Sequence, residues 1–230
     1  MSDNTPFFQV LQNQTLNGRL QMLNTGIIHD CMTGDITKQQ YIDFLTQAYH
    51  HVKHTVPLLM ACGSHLPDAY EWLRMDLAHY IEEEKGHHLW ILNDIAAVGG
   101  DTQSVAGNYG DGKACQAIEL MTSYLYHQID RGNPLTLLGM VLVLEGTSVN
   151  MGGTVANLIQ HKLKLPDSAM RYLVSHSALD LQHIKDFEVL VNKIDCPADR
   201  QAIIDGAKMV YSLYGQMLQG LSQSQQAQVQ

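Results

Sequence analysis

Apolar residues recur every three or four positions along most of the 230-residue chain, and no run of alternating β-branched residues interrupts them. This periodicity predicts amphipathic α-helices rather than strands. Prolines near several predicted helix starts, and the pair Gly99 and Gly100 after one predicted end, divide the pattern. We predict seven helices, at about residues 7–30, 36–61, 68–97, 113–130, 134–161, 167–192 and 198–220.

No internal repeat or linker divides these segments, so the pattern predicts one all-α bundle of about seven helices over residues 1–230. The predicted core covers about residues 7–220, followed by a flexible polar tail over residues 221–230. The second helix should begin at Asp35 or Thr37 as its cap and bend or break near Pro57.

Composition narrows the class of protein further. Apolar residues make up 45% of the chain and charged residues 16%, and the formal charge of −9 argues against nucleic acid as a partner. The longest apolar run is too short to cross a bilayer, and the polar, acidic first residues do not resemble an export signal. The four cysteines form no CxxC pair, and we expect them to be reduced in a cytoplasmic protein.

The placement of the glutamates is more informative, because the chain has only seven of them. In YIEEEKGHHLW, Glu84 and His87 have the i, i+3 spacing that directs a carboxylate and an imidazole to one centre on a continuous helix. Glu82, Glu83 and His88 would then lie toward other faces. The alternative is a solvated acidic turn followed by a histidine pair.

Glu145 ends the apolar segment LTLLGMVLVLEG, where an unpaired carboxylate would be costly. In HSALDLQHIKDF, His176, Asp180 and His183 fall on one helical stripe that continues to Phe187. A hydrogen-bonded network without metal would also satisfy these residues.

Together these groups supply three imidazoles and three carboxylates from three predicted helices, enough for two metal ions. Such mixed ligands suit iron or manganese better than structural zinc. One division places Glu84, His87, Glu145 and His176 at one ion and Asp180 and His183 at the other, with Glu84 or Glu145 bridging. His51 faces the predicted interior and could add a ligand, line the pocket, or form a hydrogen bond in the core.

The segment GDITKQQYIDFLTQAYHHV resembles the early helices of the TenA/PqqC group within the heme-oxygenase-like superfamily. The segments EEEKGHH, NPLTLLGMVLVLEGTSV and HSALDLQH resemble its non-haem di-iron oxidase branch. The similarity extends over roughly residues 20–192. The carboxylate that this branch carries on its first core helix is absent here, where the second predicted helix offers His51 instead.

The resemblance implies a seven-helix heme-oxygenase-like domain, often a homodimer, that holds two iron ions, or manganese or a mixed pair, and no haem. It implies O₂ as co-substrate and oxidation of a small organic compound, such as a fatty acid or an amino-acid-like molecule. An electron donor could be a further partner. Tyr49, Tyr80 and Tyr172 are candidates to line the substrate pocket.

Other chemistries of the superfamily fit the sequence less well. TenA thiaminases use a cysteine on the fifth helix, whereas no cysteine occurs here between Cys115 and Cys196. Heme oxygenases use a histidine on the first helix, and His29 lies unusually close to Gly34 for that role. The main alternative is a metal-free TenA/PqqC-like protein that binds or processes a small heterocyclic or acyl metabolite.

Overall fold

The computed structural model describes residues 5–147 and 152–223, and for residues 176–181 and 223 it describes the backbone alone. The described residues form α-helices joined by short turns, which confirms the predicted all-α class. The helices are α1 (Phe7–Leu23), α2 (Gly26–Thr33), α3 (Lys38–Val52), α4 (Thr55–His65), α5 (Glu71–Glu84), α6 (His87–Val98), α7 (Thr102–Gly107), α8 (Gln116–Arg131), α9 (Thr136–Thr147), α10 (Gly153–Leu163), α11 (Arg171–Asn192) and α12 (Pro197–Gln223).

Several helix ends agree with the sequence signals. Thr37 caps α3 by accepting a hydrogen bond from the Gln40 backbone N–H, and the Gln40 side chain accepts one from the Thr37 backbone N–H. Gly34 and Gly99 end α2 and α6 in the left-handed conformation that glycine adopts without strain. Helix α12 continues to Gln223, past the predicted start of the tail at residue 221.

The long predicted helices are divided into shorter ones. The segment predicted over residues 7–30 breaks at Asn24 and Thr25, and the segment over residues 36–61 breaks at Lys53 and His54, before Pro57. The second break lies near Pro57, where a bend or break was predicted. The first leaves the apolar periodicity almost unchanged, so the pattern alone did not indicate it.

The break between α5 and α6 matters most for the site. Lys85 leaves the helical conformation, with ψ at 126°, and Gly86 has a φ of 84°. A side chain other than glycine would be strained at this φ, so Gly86 permits the turn. The prediction of one continuous helix through Glu84 and His87 is therefore wrong: Glu84 is the last residue of α5 and His87 the first of α6.

Helix α9 occupies the centre of the bundle and packs most closely against α12. A Cβ atom at Gly139 would overlap the backbone of Ile203 and Ala207, and one at Gly206 would overlap the backbone of Thr136. The two helices therefore approach each other along glycines, because any side chain at these positions would force the backbones apart.

Helix α11 begins at a fixed point because a buried carboxylate from α6 caps it. Asp94 is fully buried and accepts hydrogen bonds from the backbone N–H groups of Arg171 (3.2 Å) and Tyr172 (2.8 Å). These N–H groups would otherwise have no partner inside the helix. This contact fixes the start of the helix that carries His176, Asp180 and His183.

Burial raises the pKa of Asp94 from 3.8 to about 6, despite its two N–H donors. A carboxyl group with a raised pKa stabilises the folded state when protonated, fully below pH 3.8, and this contribution is lost as the pH rises through 6. We therefore expect the unfolding free energy of the wild type, relative to Asp94→Asn, to fall by on the order of 2–3 kcal/mol between pH 4 and pH 7. Urea unfolding of both proteins across this range measures the difference, and parallel pH profiles would contradict the prediction.

All four cysteines are free, as expected from their spacing. Among the described helices, none is long and apolar enough to cross a membrane.

Candidate metal centre

Three helices bring two carboxylates and an imidazole together inside the bundle. Glu84 lies at the end of α5, Glu145 near the end of α9, and His183 in the second half of α11. One ligand atom from each residue lies within 4.8 Å of the others, and all three side chains are buried. Residues far apart in the sequence thus form one compact donor set.

His87 adjoins this cluster through Glu84. Its Nδ1 atom lies 3.1 Å from Oε2 of Glu84, and both side chains are buried. The His87 ring stacks on Trp90 at 4.0 Å between ring centroids, and the Arg171 guanidinium lies over the Trp90 ring at 4.5 Å. The predicted pair therefore meets, but across the turn at Gly86 rather than along one helix.

His183 lies between two glutamates. Its Nδ1 atom is 3.5 Å from Oε1 of Glu145, and its Nε2 atom is 3.3 Å from Oε2 of Glu83. The ring of Tyr80 meets the imidazole edge-on, with ring centroids 5.4 Å apart. Glu83 thus takes part in the site, although its position on a continuous helix predicted another face.

A helix-end signal could have revealed that Glu84 and His87 lie on separate helices. Lysine followed by glycine after the run of glutamates is typical of a helix C-terminus, and Gly86 has the left-handed conformation expected there. A helix that ends at Glu84 releases the residues after it from helical spacing, so His87 need not share a stripe with Glu84.

His51 is buried and lines the same cavity as Glu84 and Glu145, with its ring edge-on to Tyr214 at 5.5 Å. The neighbouring histidines have other partners. His50 contacts the carbonyl oxygen of Gly112 through Nε2, and His54 contacts the Tyr126 hydroxyl through Nδ1. Of these three histidines, His51 alone lines the cavity.

His176 and Asp180 lie on α11, but their side chains fall outside the described part of the structure. Helix α11 is continuous from Arg171 to Asn192, as the predicted stripe requires. The ligand roles of His176 and Asp180 therefore stay predictions.

An apolar cavity of about 140 Å³ adjoins the cluster, and Glu84, Glu145 and His51 form part of its wall. Most of its other walls are aliphatic or aromatic, including Ile27, Phe44, Met140, Val155 and Ile159.

Tyrosines add hydroxyl groups to this apolar wall. Tyr80 and Tyr172 line the cavity, as predicted, and so do Tyr41 and Tyr214, which were not predicted. Tyr49 is not among the lining residues and packs against the rings of His50 and His88.

A second, more polar groove reaches the cluster from outside. Its walls include Asp76, His79, Glu83, Asp186 and Lys193, together with His183. Tyr80, Val141 and Glu145 line both the groove and the apolar cavity, so these three side chains form the dividing wall among the described residues.

The residues present fit a resident cation. Two buried carboxylates within 4.8 Å of each other repel unless a proton or a cation lies between them. Carboxylate oxygens and an imidazole nitrogen are the ligands that iron and manganese take in proteins, and no cysteine belongs to the set. The arrangement therefore has the chemistry of a redox-metal site rather than a structural zinc site.

Comparison with known proteins agrees with this chemistry. A protein family described as iron-containing redox enzymes matches residues 42–215. That segment makes up most of the chain, and the protein therefore belongs to this family. No curated protein matches the sequence.

Solved structures confirm the fold. A domain of unknown function with a heme oxygenase-like fold from Shewanella denitrificans is 24% identical, with a TM-score of 0.83 over 97% of this chain and 95% of that one. A TenA homologue from Pseudomonas syringae pv. tomato is 11% identical, with a TM-score of 0.79 over 94% and 93%. Heme oxygenase-1 from Synechocystis, solved with heme, is 14% identical, with a TM-score of 0.71 over 98% of both chains. The predicted heme-oxygenase-like fold is thus confirmed.

Proposed function

We propose that this protein is a non-haem oxidase or oxygenase that holds two iron ions, or manganese or a mixed pair, and uses O₂ to oxidise a small apolar compound. The observation that carries the proposal is the buried cluster of Glu84, Glu145 and His183 at the wall of an apolar cavity. Membership of a family of iron-containing redox enzymes supports it.

Glu84, Glu145 and His183 would hold the metal, with His87 beside Glu84 and His51 facing the same cavity. His176 and Asp180 are the proposed ligands that would complete the second position. Bound ferrous iron would supply the electrons that reduce O₂. The apolar walls would hold the substrate and keep bulk water away from the reacting groups.

The lining of the cavity favours an acyl or other aliphatic substrate over a free amino acid. Neither lysine nor arginine occurs among the described residues that line it. An amino acid would bring an ammonium and a carboxylate group into these apolar walls, which would be costly without partners. A fatty-acid-like molecule can direct its single polar end toward the metal cluster and leave its chain among aliphatic side chains.

The position of His29 supports a non-haem site over a haem site. The His29 side chain is exposed on α2, whereas Ile27, Ile28 and Cys31 of the same helix line the cavity. A histidine that ligates haem inside the bundle would have to face the cavity. The two buried glutamates would also oppose the propionate groups of a haem.

Thiol chemistry of the TenA type has little support. Cys31 is the one cysteine among the described residues that line the cavity. Burial and the nearby Asp30 carboxylate raise the pKa of its thiol to about 12. The thiol therefore stays protonated at neutral pH, where it is a poor nucleophile.

Anaerobic reconstitution tests the proposal. Protein incubated with ferrous iron and then desalted should retain about two iron ions per chain, measured by elemental analysis. Exposure to O₂ should then change its absorption spectrum, and fatty acids should accelerate O₂ consumption more than amino acids do. Iron near zero in protein that circular dichroism shows to be folded would contradict the proposal and favour the metal-free alternative.

A further inference from the structure

Two consecutive glutamates at the end of α5 have different surroundings near His183. The side chain of Glu84 is 6% exposed and belongs to the buried cluster, whereas that of Glu83 is 54% exposed and lines the outer groove. Glu83 nevertheless places Oε2 only 3.3 Å from Nε2 of His183, whose imidazole is buried. An exposed carboxylate thus reaches a buried ring from the solvent side.

The two nitrogens of His183 have different surroundings. Nδ1 faces Glu145, at 3.5 Å, and Nε2 faces Glu83. A neutral imidazole carries one proton, and the nitrogen without the proton is the one that can bind a metal. Whichever group accepts the N–H hydrogen bond therefore decides which nitrogen is available.

We propose that Glu83 is the positioning residue for His183 in the metal centre. Its carboxylate accepts the Nε2–H hydrogen bond, so the proton stays on the groove side and the lone pair of Nδ1 is directed at the cluster. Histidine ligands in proteins commonly donate their second N–H to a carboxylate, which fixes the orientation of the ring and increases its basicity. The inference rests on the proposed metal-dependent function.

The turn after Glu84 explains how Glu84 can belong to the buried cluster while the adjacent Glu83 lies in the outer groove. Helix α5 ends there, and Gly86 redirects the chain so that His87 approaches Glu84 from α6. Glu84 is thereby held on the inner side of the cluster, while Glu83 stays on the outer face of the last helical turn. Tyr80, one turn earlier, packs edge-on against the same imidazole and limits its rotation.

The competing interpretation is an ordinary surface ion pair. Such pairs contribute little to stability, and removing one would leave metal binding unchanged. Glu82 supplies a matched control, because it precedes Glu83 on the same helix turn, is 67% exposed and pairs with Lys85 instead. A loss of net negative charge affects both positions equally, whereas a specific effect on His183 affects Glu83 alone.

The experiment compares equilibrium binding of ferrous iron under anaerobic conditions in the wild type and the variants. We expect Glu83→Ala to weaken binding by about 10- to 100-fold, the usual effect of losing such a carboxylate. Glu83→Gln should be intermediate, because its amide oxygen still accepts the hydrogen bond but carries no charge. Glu82→Gln should bind iron as the wild type does. Circular dichroism checks that each variant is folded. If the alanine variant unfolds, the comparison of Glu83→Gln with the wild type tests the inference.

A second measurement shows directly which nitrogen of His183 carries the proton. In protein loaded with diamagnetic Zn²⁺, ¹⁵N–¹H correlation spectra of the imidazoles should place the His183 proton on Nε2. The signal should persist in Glu83→Gln and broaden by exchange with water in Glu83→Ala.

Three results would overturn the inference, and they are distinguishable. Equal iron affinity in the wild type and both Glu83 variants would show that Glu83 is only a surface group, while the proposed function would stand. A proton on Nδ1 with metal on Nε2 would reverse the proposed orientation. A wild type that binds neither ion would refute the proposed function and this inference together.

Discussion

Glu145→Ala is expected to abolish iron binding and to reduce iron-dependent O₂ consumption by more than about 100-fold. Loss of a carboxylate that only orients a metal ligand already costs about 10- to 100-fold in affinity or activity. Glu145 is the one carboxylate that α9 contributes to the cluster, and it contacts His183. Its removal leaves Glu84 and His183 without the group that lies between α5 and α11. Metal analysis after anaerobic reconstitution and an oxygen electrode measure the two effects.

The controls separate loss of metal from loss of fold. The metal-free variant should keep an unfolding free energy within about 1 kcal/mol of the wild-type value, because the substitution removes one of two buried like charges as well as packing contacts. Glu119→Ala, at an exposed position on α8, should retain iron and activity. Normal iron content in Glu145→Ala would show that the ligand assignment is wrong.

Gly139→Ala is expected to destabilise the protein by about 3 kcal/mol or more, although it adds one methyl group. The new Cβ atom would overlap the backbone of Ile203 and Ala207 on α12. Backbone atoms within a helix cannot move aside as a flexible side chain can, so α9 and α12 would have to separate. Urea unfolding monitored by circular dichroism measures the loss.

Gly220→Ala is the matched control on α12. A Cβ atom there meets nothing within 4 Å, so alanine should leave stability unchanged or raise it by up to about 1 kcal/mol through its higher helix propensity. Gly139 lies fewer than two helical turns before Glu145, so displacement of α9 should also move Glu145. We therefore expect Gly139→Ala to bind iron more weakly than the wild type. Equal stability of Gly139→Ala and the wild type would mean that the two helices are not held in close contact.

The fold class and several helix ends were predictable because their signals are local. Apolar periodicity indicated helices, and Thr37, Gly34 and Gly99 marked ends that the structure confirms. The breaks at Thr25 and Gly86 were not predicted, whereas the break at His54 lies near Pro57, where a bend or break was predicted. An apolar face that curves around a core keeps its spacing through a short turn, so periodicity cannot distinguish a bent helix from two helices.

Glu84, Glu145 and His183 were predictable as a group because each places a charged or polar side chain in an apolar stripe, where it needs a partner. Glu83 was not, since nothing in the sequence brings an exposed residue to a histidine 100 positions away. The close approach of α9 and α12 also escaped prediction. Gly139 and Gly206 are far apart in the sequence, and their complementarity exists only after the helices pack.

The wall of Tyr80, Val141 and Glu145 bears on how protons and an organic substrate would reach the metal centre. It separates the apolar cavity from the more polar groove, whose walls carry charged side chains. A substrate that occupied the apolar cavity would leave the groove side of Glu83 and His183 in contact with solvent. In the proposed reaction, protons could therefore exchange with bulk water through the groove while the organic compound occupies the cavity.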